Sequence, residues 1–173
     1  MSEAALASRV ERAREVLESV LDPEVPVLSV VDLGIVRDVV DDDAGGLVVV
    51  VTPTYSGCPA TEVIAAGIVD ALRDAGLGPA RVEMRRAPAW TTDWISESGR
   101  RKLRDYGIVP PGPTAPMQAA PIRIVPRAGV AALPCPRCES TNTERLSAFG
   151  ATACKALWRC RACGEPFEHF KPI

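Results

Sequence analysis

Two Cys-x-x-Cys pairs, Cys135-Pro136-Arg137-Cys138 and Cys160-Arg161-Ala162-Cys163, stand 21 residues apart near the end of the sequence and constrain its folding more than any other feature. Each pair brings two sulfurs within reach of one ion, because the two intervening residues can turn tightly and leave backbone amides facing the thiolates. Two such knuckles complete a tetrahedral S4 site. A thioredoxin-like redox motif needs a single pair in a βαβ setting, and neither condition is met. The spacing therefore predicts a zinc ribbon over residues 134–173, with Cys135, Cys138, Cys160 and Cys163 as ligands. A module of roughly 40 residues with few large apolar side chains cannot bury enough surface alone, so zinc is expected to fold it.

Composition narrows the function. The chain has 173 residues, 47% apolar and 24% charged, with six Cys against a single His. That is room for one ordinary domain plus a small module. One His is too few for a non-haem iron facial triad or a ferritin-like carboxylate di-iron site, so the chain is not expected to hold an oxygenase centre alone. His169 is a surface residue or a ligand in a Cys3His variant. Cys154 is a half-buried small hydrophobe on the strand entering the second knuckle, or an extra ligand. Residues 1–14 carry charge from the third position and lack an apolar core, and no stretch is long and apolar enough to span a bilayer. The expectation is a cytoplasmic protein with no membrane partner and reduced thiols.

Proline density marks a division. Pro110 to Pro134 reads PPGPTAPMQAAPIRIVPRAGVAALP, in which Pro, Gly and Ala break every helical or strand period. The sequence divides into a domain over 1–108, a Pro/Ala-rich linker over 109–133 and the ribbon over 134–173. Within the linker, Ile122–Val125 could form a strand. The first segment carries a net charge of −6 and the remainder +4.

Before the linker the pattern is mixed. Leu6, Val10, Ala13, Leu17, Val20 and Leu21 predict a helix over 3–21 that stops at Asp22-Pro23. Ile35–Val40 and Leu47–Thr52 predict a hairpin, the unbroken apolar run Leu47–Val51 suiting a strand covered on both faces. Pro59 suits the first position of a second helix with Val63, Ile64, Ile68, Ala71 and Leu72 on its apolar face, capped by Gly76 and Leu77. Ala80–Arg86 predicts a third strand, and residues 95–106 a short basic helix stopped by Gly107. The fold class is α+β: a small α/β sandwich in the order α-β-β-α-β-α, followed by the ribbon.

Cys58 is the second singular thiol. It falls between a buried strand and a helix N-terminus, where free amides and the helix dipole lower a thiol pKa. It is a reactive or metal-binding cysteine, or a buried cap residue. Asp22-Pro23-Glu24 and Asp32-Leu33-Gly34 supply loop carboxylates that are cap and turn residues singly and could together face Cys58 across the strand ends.

The stretches Asp22 to Gly34 and Thr52-Pro53-Thr54-Tyr55-Ser56-Gly57-Cys58-Pro59 resemble the small iron–sulfur-assembly domain of the SufT type. Ala89-Trp90-Thr91-Thr92-Asp93-Trp94-Ile95, Tyr106-Gly107-Ile108-Val109-Pro110-Pro111 and Phe149 to Leu157 are similar to the PaaD family, accessory subunits of bacterial phenylacetyl-CoA epoxidase. The resemblance runs from about residue 10 to the end and covers both modules in order. It implies a sandwich of the iron–sulfur-assembly type and a non-catalytic role in aerobic phenylacetate breakdown beside separate oxygenase and reductase subunits. It further implies help in maturing their iron or iron–sulfur centres, with Cys58, Asp32 and Glu24 handling iron or a cluster transiently and zinc in the ribbon. Relatives usually end in Phe-Lys-Cys where this chain has Phe170-Lys171-Pro172, so a scheme needing that terminal thiolate does not carry over. The rival role is a scaffold that holds the oxygenase components together, and a homodimer is left open. Nucleic-acid binding by the basic ribbon is disfavoured by its modest charge and the acidic first domain. A thiol enzyme is disfavoured because Cys58 has no His in its own domain.

Overall fold

The chain is described by a computed structural model that covers residues 3–42, 44–55, 57, 60–114 and 132–173, residues 3–8 by their backbone alone. It divides into two compact units, Met1–Lys102 and Leu103–Ile173.

The first unit is built on a three-stranded sheet in the order β1-β2-β3, with β1 (Val36–Asp41), β2 (Leu47–Val51) and β3 (Ala80–Met84). The pair β1/β2 is antiparallel, as the Asp/Gly-rich turn between them predicts. Strands β2 and β3 are parallel, which requires a crossover, and helix α2 (Ala60–Asp74) supplies it. All five residues of β2 are buried. It is the central strand, buried on both faces. Helix α1 (Glu3–Leu17) packs on β1 and α2, its buried face including Ala13 and Leu17.

The helix boundaries show where tertiary structure overrides periodicity. Helix α1 ends at Leu17 and not at residue 21. The N–H groups of Glu18, Ser19 and Val20 tighten onto carbonyls three residues back, and the Asp22 N–H donates to the Leu28 carbonyl at 2.8 Å. The chain has turned to meet Ser29, which leaves Leu21 exposed. On α2, Ile64, Ile68 and Leu72 are buried as expected, whereas Val63 is 60% exposed and off the packed face. The predicted cap is present: Leu77 N–H donates to Leu72 O and Gly76 N–H to Arg73 O, each at 2.9 Å, with Gly76 at φ +72°, the paired bonds of a Schellman ending. Pro59, expected to open α2, lies outside the described residues.

Helix α3 (Glu97–Asp105) contains the division between the units and ends at Gly107, φ +90°. The second unit is a four-stranded sheet in the order β4-β7-β6-β5, formed by β4 (Ile108–Val109), β5 (Thr143–Ser147), β6 (Lys155–Cys160) and β7 (Pro166–Phe170). Strands β5, β6 and β7 run antiparallel, and β4 joins β7 in parallel. Val109 and Leu133, both given to the linker on proline density, pack with Cys135, Ala156, Trp158, Cys160 and Phe167 in the core of this unit. The Ile122–Val125 strand lies outside the described residues.

Candidate functional site

The four cysteines of the knuckles converge as their spacing requires. Their Sγ atoms all lie within 4.8 Å of one another, with Cys135 to Cys163 at 3.8 Å and Cys138 to Cys160 at 3.6 Å. Four sulfurs around one ion at about 2.3 Å stand roughly 3.8 Å apart, so the residues present fit a tetrahedral metal. The distances are far too long for disulfides, whose sulfurs approach to about 2.05 Å.

The two knuckles repeat one backbone scheme. Cys135 N–H donates to Ser140 O at 3.0 Å and Cys160 N–H to Glu165 O at 2.8 Å. In return Glu139 N–H donates to Cys135 O and Gly164 N–H to Cys160 O, each at 2.9 Å. The fifth residue of each turn has a left-handed backbone, Glu139 at φ +60° and Gly164 at φ +80°. The amides of Cys163 and Ala162 hold the Cys160 thiol down to about 7 against its burial. Cys138 shows the opposite balance: the Ser140 amide favours its thiolate, but Cys163, burial, Cys160 and Cys135 push it up to about 12. Thiols this close cannot all ionise without a cation among them.

Cys154 and His169 each take a defined place in the ribbon. Cys154 is buried in the turn before β6, its Sγ 3.0 Å from Thr152 Oγ1, and is not part of the four-sulfur group. His169 is likewise outside that group. It lies half-buried on β7, edge-on to Trp158 at 6.3 Å, and burial lowers its pKa.

In the first unit, three segments meet at one end of the sheet. Val36 pairs with Val51 and Val51 with Met84, so Asp32-Leu33-Gly34 enters β1 where Thr52 leaves β2 and Arg85 leaves β3. Thr52 N–H donates to Ile35 O at 2.8 Å. The Thr52 hydroxyl is buried and finds no hydrogen-bond partner among the described residues, an exception to the satisfaction of buried polar atoms that needs a reason. Cys58, six residues further on, lies outside the described residues.

Asp32 is the buried carboxylate of this end. Its Oδ2 accepts from Lys102 Nζ at 2.5 Å, Ser29 Oγ at 3.1 Å and Ser29 N–H at 3.2 Å, while Oδ1 accepts from Ser96 Oγ at 3.0 Å. Burial alone would raise its pKa; the Lys102 ammonium, the Ser29 amide and the two serine hydroxyls outweigh it and hold the carboxyl below its ordinary value. The segment after β3 clamps the same loop. Trp90 Nε1 donates to Leu33 O at 2.9 Å, Ser96 N–H donates to Asp32 O at 2.8 Å, and the Arg37 guanidinium lies 3.6 Å over the Trp94 ring. Gly34, φ +67°, sits where a Cβ would strike the Trp94 backbone, so glycine is needed there both for conformation and for space. Nothing local in the sequence pointed to Ser96 or Lys102. They reach Asp32 only through the fold, 64 and 70 residues away.

Asp22 and Glu24 lie in the preceding turn, in which Asp22 Oδ1 accepts the N–H groups of Glu24 and Val25 at 2.9 and 2.7 Å. Among the described residues, the four ribbon cysteines are the one group of three or more His, Cys, Asp or Glu that could hold an ion.

The architecture defines a class: an iron–sulfur-assembly-type domain joined to a four-cysteine ribbon. Residues 11–84 match the family described as iron–sulfur cluster assembly protein, and residues 121–171 match the PaaD zinc beta ribbon domain. The chain is 45% identical, over 91% of its length and 89% of the relative's, to an Escherichia coli K12 protein provisionally named as a subunit of 1,2-phenylacetyl-CoA epoxidase. It therefore belongs to the PaaD family. An Fe-S protein maturation auxiliary factor from Porphyromonas gingivalis W83 is 31% identical over 50% of this chain and 83% of its own length. The crystal structure of a DUF59 domain from Bacillus anthracis superposes with a TM-score of 0.55 at 25% identity, covering 59% of this chain and 97% of that one.

Proposed function

We propose that this protein is a non-catalytic, cytoplasmic accessory subunit of a phenylacetyl-CoA 1,2-epoxidase that assists assembly or maturation of the complex's iron or iron–sulfur centres. The observation that carries the reading is the union, in one chain, of an assembly-type domain with a PaaD ribbon. Iron or a cluster is cargo, received at the end of the sheet where the Asp32 loop enters β1 and the segment leading to Cys58 leaves β2. Cys58 is the thiolate ligand, with Glu24 a second donor. Asp32, both of whose oxygens are engaged, keeps the loop in shape and makes a carboxylate available when Lys102 withdraws. The buried Thr52 hydroxyl supports a polar working site at this end.

In the ribbon, Cys135, Cys138, Cys160 and Cys163 hold zinc. Bound there, zinc supplies the cross-link that lets so small a sheet fold, leaving the ribbon to dock on the oxygenase and reductase components.

The test is reconstitution of the epoxidase's metal centres with Cys58→Ser protein. Iron loading and activity should fall while ribbon zinc and co-purification with the complex stay at wild-type levels. Full iron loading by the variant would overturn the maturation role and leave a scaffold.

A further inference from the structure

The ribbon sheet has two distinct ends. Thr143, Cys160 and Pro166 lie at the metal end, whereas Ser147, Lys155 and Phe170 lie at the other. The length of β6 separates them, roughly 17 Å at about 3.3 Å per residue. The far end carries the loop from Ala148 to Cys154.

That loop is fixed almost residue by residue. Phe149 N–H donates to Ser147 Oγ at 3.1 Å, and Ala151 N–H to Glu168 Oε1 at 2.8 Å. Gly150 N–H donates to Lys155 O at 2.7 Å. Beneath it, Lys155 Nζ meets Glu168 Oε2 at 2.8 Å, the lysine side chain only 6% exposed. An ion pair on a buried lysine, whose carboxylate also binds loop backbone, is costly to rearrange, so the loop is presented in one shape.

What it presents is an aromatic ring. Phe167 and Phe170 are 5% and 1% exposed and belong to the interior, whereas Phe149 is 64% exposed. Lys171 Nζ lies 4.5 Å over the Phe149 ring and donates to Ala148 O at 3.2 Å. Leu146, at the bulge of the outer strand β5, is also exposed. An aromatic held rigidly in water, with little left to lose in conformational entropy, is the anchor type that dominates protein interfaces.

Charge selects the partner. Most cations on the rest of this sheet are spoken for: Arg137 pairs with Glu165, Arg159 and Arg161 with Glu144, and Lys155 with Glu168. Lys171, like Arg145 on β5, makes no ion pair among the described residues. A surface that covers the Phe149 ring must also desolvate the Lys171 ammonium, which is unfavourable unless a carboxylate meets it. A phosphate backbone would need a larger set of free cations than this sheet offers.

We propose that Phe149, flanked by Leu146 and Lys171, is a docking knob that inserts into an apolar, carboxylate-rimmed pocket on a protein component of the epoxidase complex. This rests on the reading that the ribbon docks on that complex. The test measures affinity of the full-length zinc-loaded protein for the purified oxygenase–reductase complex, together with its own association state by sedimentation. Phe149→Ala should weaken binding about 30-fold or more, and Lys171→Glu about 5–10-fold with a flatter salt dependence, each with wild-type zinc content. Absence of binding by the wild-type protein would overturn the docking role of the ribbon and the proposal with it. Equal binding by wild type and Phe149→Ala would overturn the proposal alone. Loss with Phe149→Ala but none with Lys171→Glu would overturn the carboxylate rim. A wild-type dimer that Phe149→Ala splits, at unchanged affinity for the complex, would assign the knob to a second copy and overturn the proposed partner.

Discussion

The two units reach stability by opposite routes. The first buries a continuous apolar strand between flanking elements, Leu47 and Val49 being wholly inaccessible beside Leu17, Ile68 and Leu72. The second packs a cluster of six buried residues, two of which are cysteines of the four-sulfur group. In the ribbon the metal site is part of the core; in the first unit the candidate chemistry lies at the edge of a core complete without it. The contrast teaches that a small module can build its core around a ligand cluster, whereas a unit with a full apolar core leaves the end of its sheet free for other work.

The strongest way to break this contrast is to remove the ribbon's ion. A zinc chelator, or Cys160→Ser, should unfold the second unit outright, since structural zinc contributes about 10 kcal/mol or more to such modules. Trp158 fluorescence should report the loss while the far-ultraviolet signal of α1 and α2 persists. Simultaneous collapse of both units would mean that their stabilities are not separate. The converse perturbation is Leu72→Ala, which should cost the first unit about 2–5 kcal/mol with four-thiolate metal content unchanged, as read by denaturant melts and elemental analysis.

These two outcomes bear on the parts of the molecule that the sequence made legible. The knuckles, the central strand and the capped second helix each announce themselves within a few residues, because tight turns, unbroken apolar runs and a Gly–Leu cap are local physics. The assembly-type fold and the ribbon followed from that grammar and from the resemblance it carried. The setting of Asp32 did not. Its partners Ser96 and Lys102 are brought in by the path of the chain after β3, and no periodicity records such a path. Likewise Leu21 continued an apolar rhythm that the turn at Asp22 had already ended. His169 and Phe149 were equally opaque, since exposure depends on which strand end a residue occupies.

A finer comparison sets the paired carboxylate of Asp32 against the clustered thiols of the knuckles. The Asp32 carboxyl is depressed below its unfolded value, so the stability it confers is present above about pH 4 and is lost as pH falls through the folded value. Asp32→Asn should remove that acid-sensitive component and cost about 1–3 kcal/mol at neutral pH, seen as a flatter dependence of the first unit's melting midpoint between about pH 5 and 2. Lys102→Met should move the acid transition upward, the direction expected when the ammonium no longer offsets burial. An unchanged transition would remove Lys102 from the account.

The smallest effect expected is a gain. Glu139 occupies a left-handed turn position that its counterpart Gly164 fills without strain, so Glu139→Gly should stabilise the ribbon by about 0.5–1 kcal/mol. The check is slower zinc loss to a competing chelator.

That pairing of Glu139 with Gly164 points to a broader property of the knuckles. Because both half-sites are specified by the same backbone bonds, each serves as an internal standard for the other. The side chains between the cysteines, Pro136 and Arg137 in one and Arg161 and Ala162 in the other, supply no ligand atom to the four-sulfur group. Those four positions are where the ribbon's outer surface can change while the ligand set stays the same.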